Sequence, residues 1–223
     1  MTEPGFWQKK TAYLHKKYSK LKGNIYYLFH LAEALQVGKV KKKHTGIQLK
    51  MAEILKVKEC LDSYENCRFL VFGLGNDSPF WNEINASGST LFLEDYSPWF
   101  DRITGAYPQL EAKLVHYHNN ITQWQELIDE PEKLQLDLPS GMDPNRKWEV
   151  VLVDGPRGHM HSEEIPGRMS SIFMASQWVA PGGMVLVHDA QRKVESSYAS
   201  KYLGEDRLIA KVWGRALLKI YKL

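Results

Sequence analysis

The most constraining feature of this chain is a series of short apolar runs, each stopped by glycine or an acid. Phe69-Leu70-Val71-Phe72 ends in Gly73-Leu74-Gly75, and Thr90-Leu91-Phe92-Leu93 ends in Glu94-Asp95. Glu149-Val150-Val151-Leu152-Val153 ends in Asp154-Gly155-Pro156, and Met184-Val185-Leu186-Val187 ends in His188-Asp189. A further run covers residues 112–117. Strands that are apolar at consecutive positions are buried on both faces, which is the habit of parallel sheets. Helical segments over 78–86, 97–106, 121–128, 167–179 and 192–202 fill the intervals. Strand–helix alternation of this kind predicts an α/β, Rossmann-like fold, with a mostly parallel central sheet and helices on both faces. Residues 208–210 and 216–221 are expected to close the sheet as antiparallel strands. Ligand groups then belong at the carboxyl ends of the strands.

The front of the chain reads differently. A helix is expected over 7–35, broken near Gly23-Asn24, and a second over 45–61, capped by Thr45. The segment 130–147, rich in Pro, Asp and Gly, reads as an exposed insertion. Residues 1–68 hold 14 Lys/Arg against 6 Asp/Glu, whereas the remainder is acidic. The run Lys39, Lys41, Lys42, Lys43 and His44 is the centre of that bias. It contains no aromatic residue for stacking on bases, so a solvated loop is preferred over nucleic-acid contact, and an anionic substrate stays open. The division expected is a basic helical segment over 1–44 and one main domain over 45–223.

Composition excludes several classes. Hydrophobic residues make up 43% and charged residues 25% of the chain, which rules out general disorder, collagen and coiled coil. No stretch approaches the ~18–20 apolar residues of a membrane helix. Met1 to Lys22 is too polar for a secretory leader, so a cytoplasmic location is expected. Cys60 and Cys67 alone cannot build a disulfide scaffold.

The Gly73-Leu74-Gly75-Asn76-Asp77-Ser78 segment has the form of a strand, a tight turn and a helix start. Glycines let the backbone approach a ligand closely. Glu94, at the end of the next strand, stands where an acid accepts hydrogen bonds from ribose hydroxyls. A third glycine is missing, and Asp77 would oppose a pyrophosphate at the helix start. A cationic cofactor suits these residues better. S-adenosylmethionine carries a sulfonium, an amino group and a ribose but no phosphate. The residues named for it are Gly73, Gly75, Asn76, Asp77, Glu94 and Asp95, with Asn119 after the third strand for adenine. The alternative is a glycine turn closing a strand, with Glu94 as a helix cap.

The whole run Phe69 to Ser78 resembles the first motif of the plant glucuronoxylan 4-O-methyltransferase family. The likeness continues through Thr90–Asp95, Trp148–Pro156, Ile165-Pro166-Gly167-Arg168-Met169, and Val187-His188-Asp189-Ala190-Gln191-Arg192-Lys193-Val194-Glu195. Gly214-Arg215 also has a counterpart. The resemblance implies a methyltransferase domain that uses S-adenosylmethionine. It also implies a family substrate, the 4-hydroxyl of glucuronic acid in a glycan or glucuronoside. Two departures are visible. Plant members carry an N-terminal anchor and a cysteine-bearing insertion before the fourth strand, whereas 130–147 is short and cysteine-free.

Methyl transfer to a hydroxyl needs alignment and removal of a proton. Asp154, His188 and Asp189, at the fourth and fifth strand ends, are the catalytic candidates, with Asp154 or His188 as the base. Asp154 and Asp189 are also expected as ligands of a divalent cation, if one is used. Arg168, Arg157 and Arg192 are the candidates for reading a substrate carboxylate, since guanidinium binds carboxylate bidentately. His159 and His161 read as exposed loop residues. Two other functions compete: a non-catalytic partner in glycan biosynthesis that keeps the fold, and a nucleic-acid methyltransferase.

Overall fold

The computed structural model describes residues 31–143, 145–159 and 163–223. Seven strands form one sheet: β1 (Arg68–Phe72), β2 (Ser89–Glu94), β3 (Glu111–Leu114), β4 (Trp148–Val153), β5 (Val179–Val187), β6 (Leu208–Trp213) and β7 (Leu217–Lys222). Their spatial order is β3-β2-β1-β4-β5-β7-β6. The first five run parallel, while β7 is antiparallel to both β5 and β6. The chain runs outward from β1 to β2 and β3 on one side, then returns to place β4 on the other. The crevice at the carboxyl ends of β1 and β4 is therefore the topological switch point.

Alternation along each strand explains why the runs are continuously apolar. Phe69 and Val71 face one core layer, and Leu70 and Phe72 face the other. The first layer is completed by α2 (Met51–Asp62) and α3 (Ser78–Ile84), through Ile54, Leu55 and Phe80. The second is completed by α6 (Met169–Trp178) and α7 (Lys193–Leu203), through Ile172, Phe173 and Tyr198. The remaining helices are α1 (Leu31–Lys43), α4 (Ser97–Ala106) and the single turn α5 (Trp124–Leu127).

Several expectations need correction. The helix expected from residue 45 begins at Met51, because the Glu53 carboxylate reaches back to the Lys50 backbone N–H at 2.7 Å and starts it there; Thr45 is not its cap. The basic run is not a loop. Lys41, Lys42 and Lys43 form the last turn of α1, where cations suit the negative end of the helix dipole, and His44 meets Glu83 at 2.9 Å. The segment before β4 is not all exposed, since Leu134 and Leu136 are buried in the second layer. Most of the helix expected over 7–35, with its break at Gly23-Asn24, lies outside the described residues. α1 buries Ala34 and Val37 in the first layer, where it packs on α2 and α3. Among the described residues, no helix is long and apolar enough to cross a membrane.

Candidate functional site

A cavity of about 560 Å³ opens over the carboxyl ends of β1, β2, β4 and β5. That size lies within the range of small-ligand sites. Its walls are the turns that follow these four strands, together with the segment ahead of α2 and the β6–β7 turn. The first and fourth strand ends meet closely. Gly73 has φ +112°, and a Cβ on Gly155 would lie 2.7 Å from the Gly73 Cα. Only glycine at both positions lets the two turns pass and leaves the crevice open above them.

Of the residues named for a cofactor, Gly73, Gly75, Asn76, Asp77, Glu94 and Asp95 all line this cavity. Glu94 is nearly buried, and its two oxygens accept the backbone N–H groups of Leu74 at 2.9 Å and Tyr96 at 3.0 Å. The carboxylate thus ties the β1 turn to the β2 turn while still facing the cavity. Burial raises its pKa, and that of Asp95 as well. The Asp77 carboxyl is pushed up to about 6, by burial first and then by the charge of Asp154. An acid held out of water beside another acid is a place where a cationic group is welcome. Asn119 is a correction. β3 stops at Leu114, and the Asn119 amide donates to the Lys133 carbonyl outside the cavity.

The catalytic candidates meet at the opposite side of the cavity. His188 donates from Nδ1 to Asp154 Oδ1 at 2.9 Å and from Nε2 to Glu53 Oε1 at 3.0 Å. Burial works against the imidazolium, but Asp154, Glu53 and Asp189 overcome it and raise the pKa to about 10. Both ring nitrogens are therefore protonated and engaged, which corrects the expectation of His188 as a base. Burial also opposes the charge on Asp154; the His188 imidazolium and the Arg168 and Arg192 guanidinium groups outweigh it and hold the carboxyl below the usual range. Asp154 Oδ1 carries both the His188 and Arg168 contacts, while Oδ2 has no hydrogen-bond partner among the described residues.

Glu53 is the member that sequence reasoning missed. It is fully buried in the first turn of α2 and accepts four hydrogen bonds: from His188, and from the backbone N–H groups of Lys50, Arg215 and Ala216. These bonds hold its pKa down against burial. A Cβ on Gly214 would lie 2.0 Å from Glu53 Oε2. The glycine of the Gly214-Arg215 pair is thus the one residue that lets the β6–β7 turn close on this carboxylate.

Arg168 is a further correction. It is 5% exposed, and it donates from Nε to the Pro156 carbonyl at 3.1 Å, from Nη1 to the His188 carbonyl at 2.9 Å, and from Nη2 to the Asp154 carbonyl. The same Nη2 lies 3.2 Å from Asp154 Oδ1 and 3.2 Å from Asp189 Oδ2. All three of its nitrogens are engaged in clamping the ends of β4 and β5 together, and the side chain is buried, which makes it a tie within the fold rather than a reader of a substrate carboxylate.

The same geometry bears on a metal. Ligand atoms of Asp154, His188 and Asp189 lie within 4.8 Å of one another, which is close enough for one ion. Yet a guanidinium nitrogen already bridges the two carboxylates, and His188 has no lone pair to offer. A donor set neutralised in this way does not fit a divalent cation.

Arg157, Arg192 and the exposed His159 also line the cavity. His161 lies outside the described residues. Arg192 is ion-paired with Asp189 at 2.8 Å and Glu195 at 3.3 Å, and Arg157 lies over the Tyr96 ring at 5.4 Å.

Residues 52–217 match the sequence profile described as IRX15/IRX15L/GXM. The chain belongs to this family. Arabinogalactan O-methyltransferase 2 of Arabidopsis thaliana is 32% identical over 186 residues, covering 73% of this chain and 63% of the relative. Glucuronoxylan 4-O-methyltransferase 2 of the same plant is 34% identical over 173 residues, covering 68% of this chain and 58% of the relative. The chain thus spans somewhat under two thirds of the length of the curated relatives it matches. Among solved structures, a caffeoyl-CoA O-methyltransferase-like protein from Staphylococcus aureus superposes with a TM-score of 0.51 at 11% identity, over 91% of this chain and 100% of that one. At that identity the likeness is one of fold, a mostly parallel sheet with helices on both faces.

Proposed function

We propose that this chain is an S-adenosylmethionine-dependent O-methyltransferase whose acceptor is a hydroxyl of glucuronic acid, the 4-hydroxyl by family, in a glycan or glucuronoside. The observation that carries this reading is the presence, in one cavity, of Glu94 at the end of β2 and Asp154 at the end of β4. The first suits a ribose, and the second suits a reacting hydroxyl. Membership of a family whose curated members include glycan O-methyltransferases supports the same reading.

Bound S-adenosylmethionine supplies a methyl group on a sulfonium, a good leaving group for an oxygen nucleophile. Glu94 would hold the ribose hydroxyls on the oxygen lone pairs that Leu74 and Tyr96 leave open. Asp77 would hold the donor's amino cation, and that charge would favour the ionised form of its carboxyl. Asp154 acts as the base. Its Oδ1 is fixed by His188 and Arg168, which leaves Oδ2 to accept the proton of the acceptor hydroxyl. A carboxylate held below its usual pKa is a weak base for an alcohol. It suffices here because the hydroxyl becomes strongly acidic as its oxygen gains a third bond. The proton then passes from Asp154 to solvent.

His188 stays charged throughout. It keeps Asp154 oriented and ionised, and is a positioning residue rather than a proton acceptor. Asp189 holds Arg168 and Arg192 in place by charge. Incubation with methyl-labelled S-adenosylmethionine and a panel of glucuronate-bearing glycans tests the proposal. Label in a new 4-O-methyl ether is the expected result; no transfer to any uronic acid would reject it.

A further inference from the structure

Since Arg168 is closed off, the cation that meets an acidic acceptor must lie elsewhere. Among the described residues, five carboxyl groups line the cavity, those of Asp77, Glu94, Asp95, Asp154 and Asp189. A uronic acid entering such a site is repelled unless an uncommitted cation receives it. Four arginines line the cavity. Arg168 is occupied, Arg192 is ion-paired twice, and Arg157 stacks on Tyr96 beside Asp95, at the cofactor side. Arg215 remains. It is exposed, and its guanidinium has no acidic partner among the described residues.

Its placement is not accidental. The Arg215 backbone N–H donates to Glu53 Oε2 at 2.9 Å, and the other Glu53 oxygen accepts from His188, which holds Asp154. The turn carrying Arg215 is therefore anchored to the group that orients the base. Gly214 makes the anchoring possible, because any side chain there would overlap the Glu53 carboxylate.

We infer that Arg215 is the specificity-determining residue of this site, receiving the carboxylate of a uronic acid acceptor while its hydroxyl faces Asp154. The inference rests on the proposed function for the identity of the acceptor, but not for the charge that the site selects.

The test is calorimetric titration of the protein, loaded with S-adenosylhomocysteine, with a glucuronate-bearing oligosaccharide and with its neutral methyl ester. The wild type binds the acid more tightly than the ester. In Arg215→Ala, affinity for the acid falls about tenfold or more, as expected for loss of a charge-assisted contact, and affinity for the ester stays within about twofold. Arg215→Glu lowers affinity for the acid further. The side chain makes no contact that folding needs, and thermal melting of both variants checks that point. An equal change for acid and ester, or no change for either, overturns the inference. Tight binding of the acid by a wild type that makes no methyl ether rejects the proposed function and leaves the inference standing. Methyl transfer with an undiminished acid preference in Arg215→Ala does the reverse.

Discussion

His188 joins two acids that lie 135 and 34 positions away in sequence: Glu53 on its Nε2 at 3.0 Å and Asp154 on its Nδ1 at 2.9 Å. An imidazole bonded to a carboxylate at each nitrogen is a cation, and its pKa stands at about 10 instead of 6.5. In the unfolded chain the group returns to its ordinary value. The native state therefore binds a proton that the unfolded state lacks at every pH between these limits. Stability from this source is complete below pH 6.5 and is lost as pH rises through 10. The melting temperature should accordingly fall steadily from pH 7 to pH 9. In Glu53→Gln, which removes one of the two charges, the fall should be shallower. A flat profile in the wild type would mean that His188 is neutral.

Arg168 should behave as a clamp. Removing one partner of a buried, hydrogen-bonded charge group costs ~3–5 kcal/mol. Arg168→Ala is expected to lose stability of that order in urea unfolding, with any residual activity reduced alike on acidic and neutral acceptors. A variant of native stability whose KM rises for the acidic acceptor alone would return Arg168 to the role of substrate reader.

Asp77 sets a pH dependence for the donor. With its pKa near 6, the carboxyl is neutral in mild acid and charged above neutrality. Affinity for S-adenosylmethionine should therefore rise between pH 5 and pH 7 and level off above it. Asp77→Asn should bind more weakly at pH 7 and show no such rise. Calorimetry across this range checks both statements; parallel profiles for the two proteins would remove Asp77 from the site.

Chelation should change little. The Arg168 guanidinium stands between the two acids that an ion would need. Any methyl transfer is expected to be the same before and after dialysis against a chelator. Loss of activity that a divalent cation restores would show that Arg168 gives way to a metal.

The strands were legible because burial on both faces writes itself as uninterrupted apolar runs, and the acids that end them mark the crevice. Edges were less clear. β3 is short and only partly buried, so the run over 112–117 overstated its length and displaced Asn119 into a site it does not reach. Arg168 was visible as a residue of consequence through its Pro-Gly-Arg-Met setting. Whether it reads a ligand or ties the fold depends on burial, which a local motif does not reveal. Glu53 was hidden for a different reason. An acid in the first turn of a helix is ordinary, since it suits the helix dipole. Its distant partners come from two segments, the turn after β5 and the β6–β7 turn. The one trace was Gly214-Arg215, whose meaning appears only when the turn is folded onto the carboxylate.

The most direct measurement compares wild type and Asp154→Asn with methyl-labelled S-adenosylmethionine and a glucuronate-bearing acceptor, alongside calorimetric binding of the donor to each. The amide keeps the shape of the side chain and its contact with His188 but cannot take a proton. Turnover is predicted to fall ~10²–10⁴-fold, the usual contribution of a general base, with donor affinity close to that of the wild type. A variant that still methylates at nearly the wild-type rate would contradict the account.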